Sequence, residues 1–162
     1  MSGHHHMGRE PVNAPIFPPP PVVLLLFIAV GFLLQRFFPL GKPEGTTVST
    51  IVGDALMVLA FAISVLAARE MARSRTAIHP GAAASALVTT GVFQRSRNPI
   101  YLSFIFFIVG FGLAIANPWM ILLAPLLLLY LQERIVKREE TYLTARFGPE
   151  YAAYRKRVRR WF

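Results

Sequence analysis

The chain has 162 residues, 54% of them hydrophobic, and carries 17 Lys and Arg against 8 Asp and Glu, a net charge of +9. It has no cysteine, and three of its four histidines (His4, His5, His6) sit in an opening MSGHHHMG that reads as a tag remnant, leaving His79. That excludes a thiol nucleophile, a disulfide framework and a Cys/His metal site, and leaves any Ser–His–Asp relay dependent on His79 alone.

The length suits one domain. Residues 1–8 are set aside as the tag remnant, 9–21 form a lead-in, and 22–162 read as a single membrane domain, because charge and apolar residues are segregated into blocks. Pro11 to Pro21 (PVNAPIFPPPP) is too rich in proline for regular helix and reads as a stiff, extended segment. Val22 to Phe38 is the first apolar run, broken only by Gln35 and Arg36. About 20 apolar residues cross a ~30 Å hydrocarbon core, so this run suffices if Arg36 snorkels. Pro39 to Thr47 reads as a short turn, and Val48 to Ala68 as the second span. Arg69 to Asn98 is the one long polar stretch. Pro99 to Ala116 is the third span and 118–135 the fourth, with Asn117-Pro118 between them predicting a tight antiparallel hairpin. From Gln132 the sequence turns charged yet keeps helical spacing, interrupted at Gly148-Pro149, so the fourth helix is expected to run on beyond the membrane as a helical tail. The expected fold is an all-α integral membrane protein with about four transmembrane helices.

Orientation follows from the basic residues. Arg9, the five arginines of the 69–98 stretch and the nine Lys and Arg from Arg134 onward place 15 of the 17 on one side, leaving Arg36 and Lys42 for the other. Both termini and the long loop are therefore expected in the cytoplasm, in a prokaryotic inner membrane. No inverted repeat of the transporter kind is evident.

Polar groups held close to membrane helices are the functional candidates. Asp54, inside the second span, reads first as an interfacial carboxylate. The more informative cluster has Arg95, Arg97, Asn98, Pro99 and Tyr101 at the start of the third helix, and Arg134, Glu139 and Glu140 where the fourth emerges. The short hairpin makes these two ends neighbours. They read either as salt bridges tying helix ends or as a pocket facing the cytoplasm.

Two blocks decide how the cluster is read. Leu87-Val88-Thr89-Thr90-Gly91-Val92-Phe93 followed by Arg97-Asn98-Pro99-Ile100-Tyr101, and Arg134-Ile135…Glu139-Glu140…Leu143…Phe147-Gly148…Tyr151…Tyr154…Val158, resemble the two signatures of the isoprenylcysteine carboxyl methyltransferase family. Asn117-Pro118 matches a further family dipeptide, and the resemblance runs from about Ser85 to the end of the chain. It implies a membrane methyltransferase that uses S-adenosylmethionine and releases S-adenosylhomocysteine. By the same resemblance the cofactor contacts are Ser85, Ala86, Leu87, Val88, Phe93, Arg97, Asn98, Pro99, Ile100, Tyr101 and Glu139. Glu139 or Glu140 would take the cofactor's ammonium or ribose hydroxyls, the start of the third helix its carboxylate, and Phe93 and Tyr101 its sulfonium. Catalytic roles fall to Asn98, Glu140 and Arg134, the last one residue off the family spacing for a substrate-contacting arginine. No metal is implied.

The sequence departs from the family pattern at three of these positions. Asn98 stands where the signature has His, Phe93 where it has Tyr, and Ser85 where His is common. Asn98 keeps hydrogen bonding but cannot titrate. An amine acceptor needs a group to take its proton, whereas a carboxylate is already ionised. The preferred acceptor is thus a carboxylate on a lipophilic or lipid-modified molecule. Glu140 would serve as a base only if burial raised it. The alternatives are a phospholipid amine N-methyltransferase, an NADPH-dependent sterol-type reductase and a non-enzymatic scaffold binding anionic membrane lipids. The Arg155–Arg160 run reads as positive-inside charge rather than a nucleic-acid site.

Overall fold

The computed structural model describes residues 18–41, 45–75 and 84–161. His79, Lys42, the tag remnant and most of the proline-rich lead-in lie outside them. Among the described residues every element is helical: α1 (Pro20–Phe37), α2 (Thr47–Arg73), a 3₁₀ turn at Gly91–Gln94, α3 (Pro99–Ala114), α4 (Pro118–Leu131), a π-helical turn at Gln132–Val136, and α5 (Lys137–Arg157). The chain is an all-α integral membrane protein. Among the described residues three helical stretches are long and apolar enough to cross a bilayer, namely α1, α2 and the 118–157 run, whose apolar part is its α4 opening while its α5 part is charged. The 16 residues of α3 rise only ~24 Å, less than a full hydrocarbon core.

α1 corrects one reading of the proline stretch. It starts at Pro20, not after Pro21, because proline in the first turn forfeits only N–H groups that have no intrahelical partner. It ends before Pro39, where the Gln35 amide holds the Leu40 backbone through both its oxygen and its nitrogen.

α2 is capped by Thr46, whose Oγ1 accepts the Ser49 N–H at 3.0 Å. Its buried residues are Gly53, Ala60 and Ala67, one every seventh position, so a stripe of small side chains faces α3. A Cβ on Gly53 would lie 2.5 Å from the Gly110 carbonyl oxygen, and one on Gly110 would lie 2.7 Å from that of Gly53. The backbones therefore touch, and Ser64 and Ser103 share a 2.6 Å hydrogen bond across the seam.

The hairpin turns through Ala116, which takes a positive φ of 53°, and the Asn117 N–H bonds back to Gly112 O at 2.8 Å. The Asn117 side chain donates to Gly31 O on α1, and Trp119 donates to Phe38 O. The end of α1, the α3–α4 turn and Gly45 before α2 thus meet at one end of the bundle. At α4 the buried face is Met120, Ala124, Leu127 and Leu131, continued by Ile135 and Val136 and packed on Val23, Tyr101 and Ile108. The opposite faces carry exposed Leu122, Leu126 and Leu129, with Leu25, Leu26, Ile51, Val58 and Phe61 on α1 and α2. Such a jacket of large apolar side chains suits lipid.

Candidate functional site

At the other end of the bundle, loop 84–98, the first turn of α3, the π turn and α5 converge. Gly91 sets the loop. Its φ of 57° favours glycine, and a Cβ there would run into Glu70, 2.7 Å from Cγ. Glu70 in turn accepts the Thr90 hydroxyl at 2.7 Å, tying the loop to α2. Pro99 opens α3 as its first residue and is buried. The π turn is the second device. Wider than an α-turn, it shifts the register between α4 and α5, a local change often found at functional sites.

The result brings Tyr101 and Glu139 together, with the Tyr101 hydroxyl donating to Glu139 Oε1 at 2.7 Å. One residue on, Glu140 meets two arginines. Arg97 Nη1 lies 2.9 Å from its Oε1, while Arg160 grips both oxygens, Nε to Oε1 at 2.9 Å and Nη2 to Oε2 at 2.7 Å. Arg97 also donates to the Tyr151 hydroxyl at 3.3 Å. Asn98 donates through Nδ2 to Arg160 O at 3.0 Å. The Tyr154 hydroxyl donates to Phe93 O at 2.6 Å. Leu87 packs on Tyr151, Tyr154 and Val158 with Leu143 and Phe147, and Val88 is buried.

The outer part of the predicted site is looser. Ser85 is exposed and spends its hydroxyl on Arg75 O, while Ala84 N–H donates to the Tyr142 hydroxyl. Ala86 and Ile100 are partly buried. Arg134 is exposed on the π turn, and no hydrogen bond or ion pair joins it to the cluster among the described residues. Asp54 is exposed on α2 beside Gly53, in the half of the bundle away from this cluster. Arg160, Ser96, Tyr142 and Glu70 take part in the network without having been singled out from the sequence.

The two adjacent carboxylates are electrostatic opposites. α5 is too charged to lie in hydrocarbon, so both stand outside the spanning segments. Glu139 is partly exposed as a residue, but its carboxyl is crowded by protein; burial pushes it up to about 7, against the Tyr101 hydrogen bond that lowers it. At Glu140 burial also pushes upward, yet the Arg160 hydrogen bond and the charges of Arg97, Arg160 and Arg155 outweigh it and hold the carboxyl below its ordinary range. The condition for Glu140 as a base, a carboxyl raised by burial, is therefore met at Glu139 instead. Glu140 is half of an ion-pair clasp, so the salt-bridge reading of the cluster holds for that residue.

One donor is left over. Arg97 Nε is buried without a hydrogen-bond partner among the described residues. Such a group costs roughly 1–3 kcal/mol when unsatisfied, which makes it a candidate contact for an anionic or hydroxyl-bearing ligand.

Comparison with known proteins supplies the lineage. Residues 48–150 match the family model described as phospholipid methyltransferase. The chain belongs to the phospholipid methyltransferase family. It is also 35% identical over 72 residues to the protein-S-isoprenylcysteine O-methyltransferases of Saccharomyces cerevisiae and Schizosaccharomyces pombe, a stretch covering 44% of this chain and 30% of each of theirs. An uncharacterized protein of Haemophilus influenzae is 36% identical over 62 residues, 38% of this chain and 98% of that one. The chain thus covers less than a third of the length of either yeast enzyme. These relatives bear out the resemblance carried by the two motif blocks.

Proposed function

We propose that this family member transfers a methyl group from S-adenosylmethionine to a lipophilic acceptor at the cytoplasmic mouth of the α3–α4 pair. The observation that carries the reading is the meeting of Tyr101 with Glu139, next in the chain to the Glu140 that holds Arg97. These groups fit the cofactor. Arg97 Nε offers a donor to a carboxylate or hydroxyl, Glu139 an acceptor to an ammonium or ribose, and the Tyr101 ring an aromatic face. Leu87, Val88, Phe93, Asn98, Pro99 and Ile100 would complete the enclosure, with Ser85 and Ala86 at its rim. S-adenosylmethionine supplies an activated methyl group; the residues supply orientation, since holding partners near attack distance is worth ~7–11 kcal/mol. Glu140 is assigned to holding Arg97, and Arg134 to the exposed approach.

A carboxylate acceptor accords with the yeast relatives being isoprenylcysteine O-methyltransferases, and it needs no base. A phospholipid amine is the second reading. It is favoured by Glu139, whose carboxyl, pushed up to about 7, is able to take a proton near neutral pH. The bias of basic residues supports a cytoplasmic mouth with both termini on that side. A ligand-induced thermal shift in detergent tests the core of the proposal: S-adenosylhomocysteine is expected to raise Tm and NADPH to leave it unchanged. Stabilisation by NADPH alone would move the protein to the reductase class, and stabilisation by neither would leave a non-enzymatic lipid binder.

A further inference from the structure

We infer that Arg160 is a positioning residue of this site, the residue through which the segment after α5 holds both the Glu140 carboxylate and the turn that opens α3. The inference rests on the methyltransferase reading above.

The six-residue run Arg155–Arg160 is RKRVRR, and composition makes its charges alike. The structure does not. Arg155, Lys156, Arg157 and Arg159 are exposed, whereas Arg160 is turned inward, its side chain 28% exposed. The turn is made at Val158, which leaves the helix in extended conformation (φ −123°, ψ 129°) and is itself buried against Tyr151 and Tyr154. An apolar anchor thus swings the next three residues back over the mouth.

There the segment touches each wall of the site. Arg159 O accepts the Arg97 N–H at 3.1 Å. Arg160 O accepts both the Asn98 amide at 3.0 Å and the Ser96 hydroxyl at 3.2 Å. Trp161 Nε1 donates to Gln132 on the π turn at 3.1 Å. Meanwhile the Arg160 guanidinium takes both Glu140 oxygens in a planar fork, a geometry that lysine cannot reproduce. Glu140 adjoins Glu139, so fixing it fixes the rotation of α5 just beyond the π turn, and with it where Glu139 meets Tyr101. Arg160 reaches no proposed ligand group itself; it acts through Glu140, Ser96 and Asn98.

Calorimetric titration of S-adenosylhomocysteine into the full chain in detergent tests this. Arg160→Gln is expected to weaken binding by roughly tenfold or more, the scale of a lost charge-assisted bond. Arg157→Gln, which removes only an exposed side chain, is expected to bind as the wild type does. Arg160→Lys, which keeps the charge but not the fork, is expected to fall between and carries the test if Arg160→Gln fails to fold. The double variant Glu140→Gln with Arg160→Gln is expected to bind no more weakly than the weaker single, because one acts through the other. Wild-type affinity in Arg160→Gln or Arg160→Lys, a lowered Tm with affinity intact, or additive losses in the double variant would each overturn the assignment. Absence of binding by the wild type would overturn the methyltransferase reading first, and this inference with it.

Discussion

Glu139 and Glu140 are neighbours in sequence and opposites in chemistry, and the difference predicts their pH behaviour. Glu139 has its ordinary value of 4.5 raised to about 7, so between those values the unfolded chain releases a proton that the folded chain keeps. Its effect is that stability falls as pH rises through that window and levels above it. Glu140 runs the other way: its carboxyl is held low, so its contribution is present at neutral pH and lost as pH falls below the ordinary carboxylate range. Thermal melts of wild type and Glu139→Gln across about pH 5 to 8 check the sign, the variant being expected to lack the decline between about 5 and 7. If Glu139 meets a cationic part of the cofactor, S-adenosylhomocysteine affinity should also rise through about pH 7 in the wild type and stay flat in the variant. A decline that persists in Glu139→Gln would assign the titration to another group.

The helices are placed by two kinds of glycine, and substitution should separate them. Gly110 is needed for space, since its Cβ would fall 2.7 Å from Gly53 O and 2.9 Å from Leu56 Cβ. Gly110→Val is expected to destabilise the protein by about 1–3 kcal/mol or more by pushing α2 from α3. Gly148 has open space around it but holds φ 46° and ψ −120° at the kink in α5. Gly148→Ala should therefore cost roughly 1–3 kcal/mol through backbone strain alone. The kink redirects the second half of α5 so that Tyr151 and Tyr154 reach the loop around Phe93 and Arg97. Denaturation of both variants in detergent is the measurement, and an unchanged Gly110→Val midpoint would contradict the close backbone contact.

At the scale of the molecule, helix ends fall into two groups. The turn end gathers Phe38, Gly45, Ala116 and Trp119; the mouth gathers Glu70, Thr90, Tyr101, Glu139 and Glu140. The 15-to-2 division of basic residues predicts that the mouth faces the cytoplasm. The chain has no cysteine, so single cysteines report cleanly. Gly45→Cys should react with a membrane-impermeant reagent added outside intact cells, and Ser85→Cys only after permeabilisation. The opposite pattern would invert the orientation and place the cofactor route on the wrong face.

Much of this was determined by local sequence. Apolar runs bounded by charge define α1, α2 and α4 without reference to the rest of the chain, and Asn117-Pro118 dictates that α3 and α4 be antiparallel neighbours. That hairpin is why residues near Arg97 and Glu139 could be assigned to one cluster from spacing alone. The start of α1 is not legible locally, because a proline run predicts an extended chain while the first helical turn tolerates the same residue. Only the tertiary structure decided which carboxylate meets a tyrosine and which is clasped by arginines. The π turn rotates Glu139 toward Tyr101, and a basic run carries no local mark to distinguish Arg160 from Arg159. Which of those charges turns inward depends on the Gly148 kink, on Val158 finding its apolar seat, and on a carboxylate 20 residues back in the chain. Those are long-range contacts, and periodicity records only what lies within a turn or two of each residue.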